Sequence, residues 1–134
     1  MSKVVADNDV VGMVRRIEQI LRSEEWAEYT DAVKIEFLTL NDVGIPPDAT
    51  DETVWTPCQE LNCVLITGNR TGGIDSLENV ISENADRHCQ PVLTLSDPRR
   101  VLRDTTYAEA TAVCVLDCLD RLDALQGVAR LFIP

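Results

Sequence analysis

Side chains that could hold a metal ion recur where segments of this chain are expected to begin or end. They are Asp7, Asp9, Asp51, Glu52, Asn69 and Asp97. Carboxylates that crowd together repel one another unless a hard cation neutralises them, and Mg²⁺ or Mn²⁺ takes such oxygen ligands together with water. An ion held in this way can activate water and stabilise a phosphoryl oxygen. The same side chains also have a local interpretation as helix caps and turn formers, so two interpretations stay open.

Arginines accompany two of these side chains. Arg70 follows Asn69 in the stretch CVLITGNRTGG, and Arg99 and Arg100 follow Asp97. A turn calls for Gly or Asn but not for arginine. Arg70 and Arg99 are therefore candidates to bind a phosphate group, and an internal ion pair with one of the acids is the alternative.

The elements that must position these side chains alternate between strand-like and helix-like patterns. Strands are predicted over 3–6, 33–40, 63–67, 91–95 and 129–133, and helices over 10–23, from 51 onward, after 75, from 98 and over 106–126. This alternation predicts an α/β fold, a three-layer sandwich whose mainly parallel sheet is flanked by helices. Because ligands bind beyond the carboxyl ends of such strands, Asp7, Asn69 and Asp97 are expected at one edge.

Two helix boundaries rest on specific residues. The third helix either starts at Asp51 and continues through Pro57, which the apolar spacing favours, or starts at Pro57 with Thr56 as its N-cap. The last helix is predicted to begin at Thr106, because Glu109 three residues later completes a capping-box pattern, and to stop before Gly127.

Composition limits the class of protein. The chain has 134 residues, which suits one domain over 1–134. Its 12 basic and 23 acidic residues give a net charge of −11, which disfavours broad binding to nucleic acid but allows a local basic patch. With no apolar run near the roughly 18 residues of a spanning helix and no secretory signal, we expect a cytoplasmic protein without membrane attachment. Five cysteines favour buried free thiols, although the spacing of Cys114 and Cys118 could also suit zinc.

The order of the motifs resembles that of PIN-like domains. Asp7 follows a first strand, DETVW opens a helix, LITGNR marks the end of a third strand and PVLTLSD that of a fourth. The final RLFIP is similar to the RLYLP-like end of a small bacterial and cyanobacterial branch of about this length. The similarity covers nearly the whole chain, and it implies an α/β fold whose active members cleave RNA with Mg²⁺ or Mn²⁺ held by acidic residues.

The resemblance also implies roles for individual residues. Asp7, Asp51 and Asp97 would bind the metal, and Asn69 stands where active nucleases usually have Asp. An Asn oxygen can coordinate a metal, but it brings no charge and cannot act as a base. The expectation is a metal-dependent ribonuclease built from Asp7, Asp51, Asn69 and Asp97, whose activity Asn69 would weaken or abolish.

Two alternatives remain open at this point. One is a non-catalytic PIN-like interaction module that binds a protein partner or a nucleotide and could form a homo-oligomer. The other is a phosphate binder that uses Arg70 and the helix N-terminus after Gly73. In each case we expect Val4, Leu65, Ile66, Val92 and Leu93 in the core. The metal-site hypothesis further predicts that Asp7 and Asp51 face each other and that Asn69 and Arg70 share their rim.

Overall fold

A five-stranded parallel sheet forms the centre of the chain in the computed structural model. The model describes residues 2–46, 51–68, 90–125 and 130–133, with only the backbone of 51–53, 56, 130 and 132. The strands are β1 (Ser2–Ala6), β2 (Ile35–Thr39), β3 (Cys63–Thr67), β4 (Val92–Leu95) and β5 (Arg130–Ile133). Their order across the sheet is β2-β1-β3-β4-β5, and every pair is parallel. The predicted parallel sheet is confirmed.

Helices cover both faces of this sheet. They are α1 (Val11–Leu21), α2 (Ala27–Val33), α3 (Asp51–Glu60), α4 (Pro98–Arg103), α5 (Thr105–Asp120) and the short α6 (Leu122–Leu125). Two 3₁₀ turns, Asn8–Val10 and Asn41–Val43, follow β1 and β2. The three-layer α/β architecture expected from the alternation of segments is confirmed.

The core has two parts because successive strand residues point to opposite faces of the sheet. On one face, the side chains of Val4, Ile66 and Leu93 pack with those of α1, α4 and α5. On the other face, Val5, Leu65 and Val92 pack against the buried side of α3. Each of the five predicted core residues is at most 1% exposed.

Some helix boundaries differ from the sequence prediction. Helix α3 begins at Asp51 and contains Pro57, which confirms the longer of the two alternatives. Helix α5 does not begin with Thr106 as its cap, because Asp104 accepts the Tyr107 N–H at 3.1 Å and so caps the helix two residues earlier. It also ends at Asp120 rather than continuing to 126, and the separate turn α6 follows.

One helix has no counterpart in the sequence prediction. Helix α2 exposes most of its residues, and its buried position is the polar Thr30. The Thr30 hydroxyl donates to the backbone carbonyls of Leu21 at 2.6 Å and Trp26 at 3.0 Å. A hydroxyl therefore anchors this helix to the end of α1, without the apolar stripe that marks α1. The predicted helix after 75 lies outside the described residues.

Candidate functional site

The crevice between β1 and β3 is the natural place for a ligand in this sheet. The chain leaves β1 toward β2 on one side and leaves β3 toward β4 on the other, so the winding direction changes between these two strands. In open α/β sheets, ligands bind at the carboxyl ends of the strands at this switch point. Asp7 comes directly after β1, and Gly68 comes directly after β3.

Four hydrogen bonds hold Asp7 in place, and in one of them its backbone carbonyl accepts the Val10 N–H at 3.0 Å. Its backbone N–H donates to the carbonyl of Ile66 at 2.9 Å. Its Oδ1 accepts the backbone N–H of Asn8 at 2.7 Å, and its Oδ2 accepts the hydroxyl of Thr67 at 2.8 Å. A carboxylate has about four acceptor positions, and these contacts use two of them. The partly buried carboxylate of Asp7 is thus fixed in orientation and keeps capacity for a further ligand.

Two buried threonines lie at or near the carboxyl ends of β3 and β4. Thr67 and Thr94 are register partners on β3 and β4, and each is 0% exposed. Strand alternation places both on the face of the sheet that α3 covers, as it does Asp7. A buried hydroxyl is costly unless it forms hydrogen bonds, and Thr67 satisfies this need by donating to Asp7. The sequence signal for Thr67 and Thr94 is a polar residue at or near the end of the apolar runs CVLIT and PVLTL.

Gly68 marks a point where three segments meet. A Cβ built on Gly68 would lie 3.1 Å from Oδ2 of Asp9, 3.1 Å from Cγ1 of Val10 and 3.2 Å from Cγ of Pro98. The end of β3 therefore touches the turn after β1 and the first residue of α4. Absence of a side chain at Gly68 permits this approach, and it brings Asp9 close to the start of α4.

Asp97 occupies the same edge of the sheet. It precedes α4, where its Oδ1 accepts the backbone N–H of Arg100 at 3.4 Å. This contact is the cap that the local interpretation of Asp97 predicts. The side chain is exposed, and Asp7 has the same combination of a capping bond and a position beyond a strand end.

Asp51 is placed through its backbone. Helix α3 starts at Asp51, packs on the sheet and ends three residues before Cys63 at the start of β3. The helix must therefore run opposite to the strands, so its first turn points toward the carboxyl edge, where Asp7 lies. The predicted contact between the Asp51 and Asp7 side chains falls outside the described residues, as do Asn69 and Arg70, and these predictions stay untested.

The pKa of the Cys58 thiol depends in part on the charge of Asp7. Burial, then the nearby Cys63 and the charge of Asp7, together raise the pKa of Cys58 to about 12. Cys58 lies on α3, so the effect places the Asp7 charge within electrostatic range of this helix. Cys58, Cys63, Cys114 and Cys118 are all free thiols.

Helix α4 carries three exposed arginines, of which Arg99 and Arg100 differ in their contacts. Arg100 pairs with Asp104 at 3.3 Å, and its guanidinium lies 4.6 Å from the ring centre of Tyr107. These contacts commit Arg100 to the junction between α4 and α5. Arg99 has no ion pair among the residues that the structure describes, so it remains the candidate for a phosphate contact at this edge.

The described part of the site does not by itself make a metal centre. Within the described ranges, no three His, Cys, Asp or Glu side chains are arranged to hold a metal ion. Nevertheless, the donor chemistry at the edge, which consists of carboxylate and hydroxyl oxygens, suits a hard divalent cation better than a soft one.

In comparisons with known proteins, no protein-family model, no curated protein and no solved structure matches the chain. Within the described residues, no helix is both long and apolar enough to cross a membrane.

Proposed function

We propose that this chain is a metal-dependent ribonuclease of the PIN-like type, with Asp7 at the centre of its site. The position of Asp7 carries the proposal. Its carboxylate lies at the switch point of a parallel sheet, is partly buried, and is oriented by Asn8 and Thr67 while keeping acceptor capacity. The resemblance of the motif order to PIN-like domains supplies the reaction class.

The oxygen donors along the edge are the residues that would hold the metal. Asp7, Asp51 and Asp97 would contribute carboxylates, and Asn69 would contribute an amide oxygen. A bound Mg²⁺ or Mn²⁺ ion would supply activated water and charge stabilisation at a phosphoryl oxygen. Because Asn69 brings no charge and cannot act as a base, we expect slow cleavage.

Residues of the chain itself would bind and orient the RNA. Thr67 keeps the Asp7 carboxylate in one orientation, since the hydroxyl and the adjoining strand are both buried. Exposed Arg99 would contact a backbone phosphate, joined by Arg70. A chain with net charge −11 repels nucleic acid over most of its surface, so the RNA would bind at this edge only, and weakly. An RNA substrate and free thiols both fit the cytoplasm.

Cleavage of a fluorescently labelled single-stranded RNA in the presence of Mg²⁺ or Mn²⁺ tests the proposal. The wild-type chain should cleave the RNA only with metal, and Asp7→Asn should reduce the rate by about 100-fold or more. Asp104→Asn is the matched control, because Asp104 also caps a helix by accepting a backbone N–H but follows a helix rather than a strand. Absence of metal-dependent cleavage, or equal cleavage by Asp7→Asn, would refute the ribonuclease.

A non-catalytic interaction module is the second candidate. One observation favours it, namely the neutral Asn69 at the position where the resemblance leads us to expect an acid. In that case Asp7 and Asp97 act as helix caps, and a protein or nucleotide is the ligand. If the chain binds RNA or nucleotide without cleaving it, and Asp7→Asn leaves that binding unchanged, this second function replaces the first.

A further inference from the structure

The outer surface of the helical layer contains two neighbouring depressions that share one tryptophan. The larger, about 690 Å³, lies between the second half of α1, the α1–α2 connection and the start of α5. The smaller, about 260 Å³, lies between α2 and α5. Trp26 lines both of them, and we call the combined surface the Trp26 groove.

The floor of the Trp26 groove is apolar and aromatic in the smaller depression, between α2 and α5. The rings of Trp26 and Tyr29 lie 5.7 Å apart with their planes tilted by 50°. Tyr29 is 60% exposed, which makes it the most exposed large apolar side chain in the described part of the chain. Val113 and Leu116 of α5 complete the floor. Exposed aromatic rings beside aliphatic side chains are typical of surfaces that receive an anchor residue.

The rim of the groove is strongly acidic. It carries five carboxylates, which belong to Glu24, Glu25, Glu109, Asp117 and Asp120. Asp117 pairs with Arg121 at 2.8 Å. Arg16 is the one basic residue in the lining, and it contacts Thr105 at 3.5 Å. The other four carboxylates form no ion pair with any residue that the structure describes.

This charge pattern decides which class of partner fits the groove. Anionic partners such as RNA or acidic lipid are repelled by the rim. A second copy of the chain, with a net charge of −11, is disfavoured for the same reason. A basic polypeptide is favoured, since carboxylates attract its Lys and Arg side chains and the faces of Trp26 and Tyr29 attract cations as well.

We infer that the Trp26 groove is a docking site for a basic polypeptide segment that carries an apolar anchor side chain. The anchor packs on Trp26 and Tyr29, and flanking Lys or Arg side chains pair with Glu24 and Glu25 on one side and Asp120 on the other. None of the groove residues belongs to the strand-end site, so this binding does not depend on the ribonuclease proposal.

Nuclear magnetic resonance on the full chain can test the inference, because the chain contains only two tryptophans. The Trp26 indole reports on the groove, whereas Trp55 belongs to α3 and is buried in the other part of the core. The probe is a synthetic amphipathic peptide of Leu and Lys. A peptide of the same length and charge with Ser in place of Leu serves as its control.

We expect the Leu/Lys peptide to shift the Trp26 indole signal and to leave that of Trp55 in place, and the Ser/Lys peptide to bind at least tenfold more weakly. Tyr29→Ala, at an exposed position that the fold does not need, should weaken binding about tenfold. Glu24→Gln combined with Glu25→Gln should weaken it about fivefold, as expected for two exposed ion pairs.

A matched double variant separates the groove from the general negative field of the chain. Glu36→Gln with Glu60→Gln removes the same charge from exposed positions on β2 and α3, and it should change the affinity less than twofold. Equal loss in the two double variants would overturn the inference, as would a shift of both indole signals or equal binding of the two peptides. Self-association of the chain that Tyr29→Ala abolishes, without peptide binding, would assign the groove to a second copy and also overturn it.

Discussion

The two ends of the sheet each have a side chain that joins two segments by hydrogen bonds. At the amino end it is the neutral amide of Gln59, and at the carboxyl end it is the charged carboxylate of Asp7. Gln59 of α3 donates to the backbone carbonyl of Gln90 at 3.0 Å and accepts its N–H at 2.7 Å. Asp7 accepts from Asn8 and Thr67 at the opposite end. Both contacts link positions far apart in the chain, but only the second leaves a charged, partly exposed group with acceptor capacity.

The difference between Gln59 and Asp7 indicates that the Gln59 contact serves the fold alone. Gln59 uses both its amide nitrogen and its amide oxygen on one backbone position, and it carries no charge that would attract an ion. Asn in place of Asp7 could cap the 3₁₀ turn with its amide oxygen, because Asn and Asp are similar as N-caps. Its amide nitrogen could donate to the Thr67 hydroxyl, which can accept as well as donate. The fold therefore does not require a negative charge at position 7, whereas the proposed cation site would use that charge.

Removing the amide contact should have the largest effect on stability. Gln59→Leu leaves the N–H and carbonyl of Gln90 without these partners, so the free energy of unfolding should fall by about 3 kcal/mol. Urea unfolding measures the change. Gln59→Glu can accept a hydrogen bond but cannot donate one when it is ionised. Its free energy of unfolding should lie between those of wild type and Gln59→Leu. If Gln59→Leu also removes any stabilisation by metal, the two ends of the sheet are not independent.

Crowding at Gly68 should have the next largest effect. In Gly68→Ala, the new methyl group meets Asp9, Val10 and Pro98 at 3.1–3.2 Å, so the free energy of unfolding should fall by about 1–2 kcal/mol. Gly12→Ala is the control, because Gly12 lies in α1 with nothing within 4 Å of the added Cβ. That variant should gain about 0.5–1 kcal/mol. A neutral or stabilising Gly68→Ala would show that the three segments do not meet tightly.

The smallest expected effect is the pH dependence of the free energy of unfolding that comes from Cys58. It distinguishes the face of the sheet with Cys58 from the face with Cys118. Burial, then Cys63 and Asp7, raise the pKa of Cys58 from 9.0 to about 12. The folded chain thus keeps this thiol protonated while the unfolded chain ionises, so its stabilising contribution is complete below pH 9 and is lost as the pH rises toward 12. Between pH 7 and pH 10, wild type should lose about 1 kcal/mol more than Cys58→Ala does.

Asp7→Asn should sharpen this result, because it removes one cause of the raised pKa of Cys58. The pKa of Cys58 should then fall, measured from thiolate absorbance against pH. Cys118, on the other face, has its pKa raised to about 11 by burial and then by Cys114 and Asp117, so it should not respond. An equal response of both thiols would contradict the placement of Asp7 near α3.

Much of the fold could be predicted because the local patterns agree with the tertiary structure. CVLIT is apolar on both faces, as a central parallel strand must be, and all five of its residues are buried. Helix α1 buries Val14, Ile17 and Leu21, which is the stripe that its spacing predicts. Helix α2 was missed because its buried contact is the hydroxyl of Thr30 rather than an apolar stripe.

The candidate site could be predicted only as a set of positions. Strand ends are visible in the sequence, so Asp7 and Asp97 could be assigned to one edge, and the structure places them there. The bond between Asp7 and Thr67 depends on β1 lying beside β3, which is a long-range property that no local pattern contains. Similarly, the choice of Asp104 over Thr106 as a cap depends on the adjacent α4, whose Arg100 pairs with Asp104.

Thermal unfolding with increasing Mg²⁺ or Mn²⁺ tests most directly whether Asp7 belongs to a metal site. An ion that binds only the folded chain stabilises it by mass action, by about 2.7 kcal/mol at 100 times its dissociation constant. The wild-type Tm should therefore rise with metal concentration, Asp104→Asn should rise in parallel, and Asp7→Asn should not respond. If metal leaves the wild-type Tm unchanged and Asp7→Asn raises it, the acids at this edge merely repel one another and the site is vestigial.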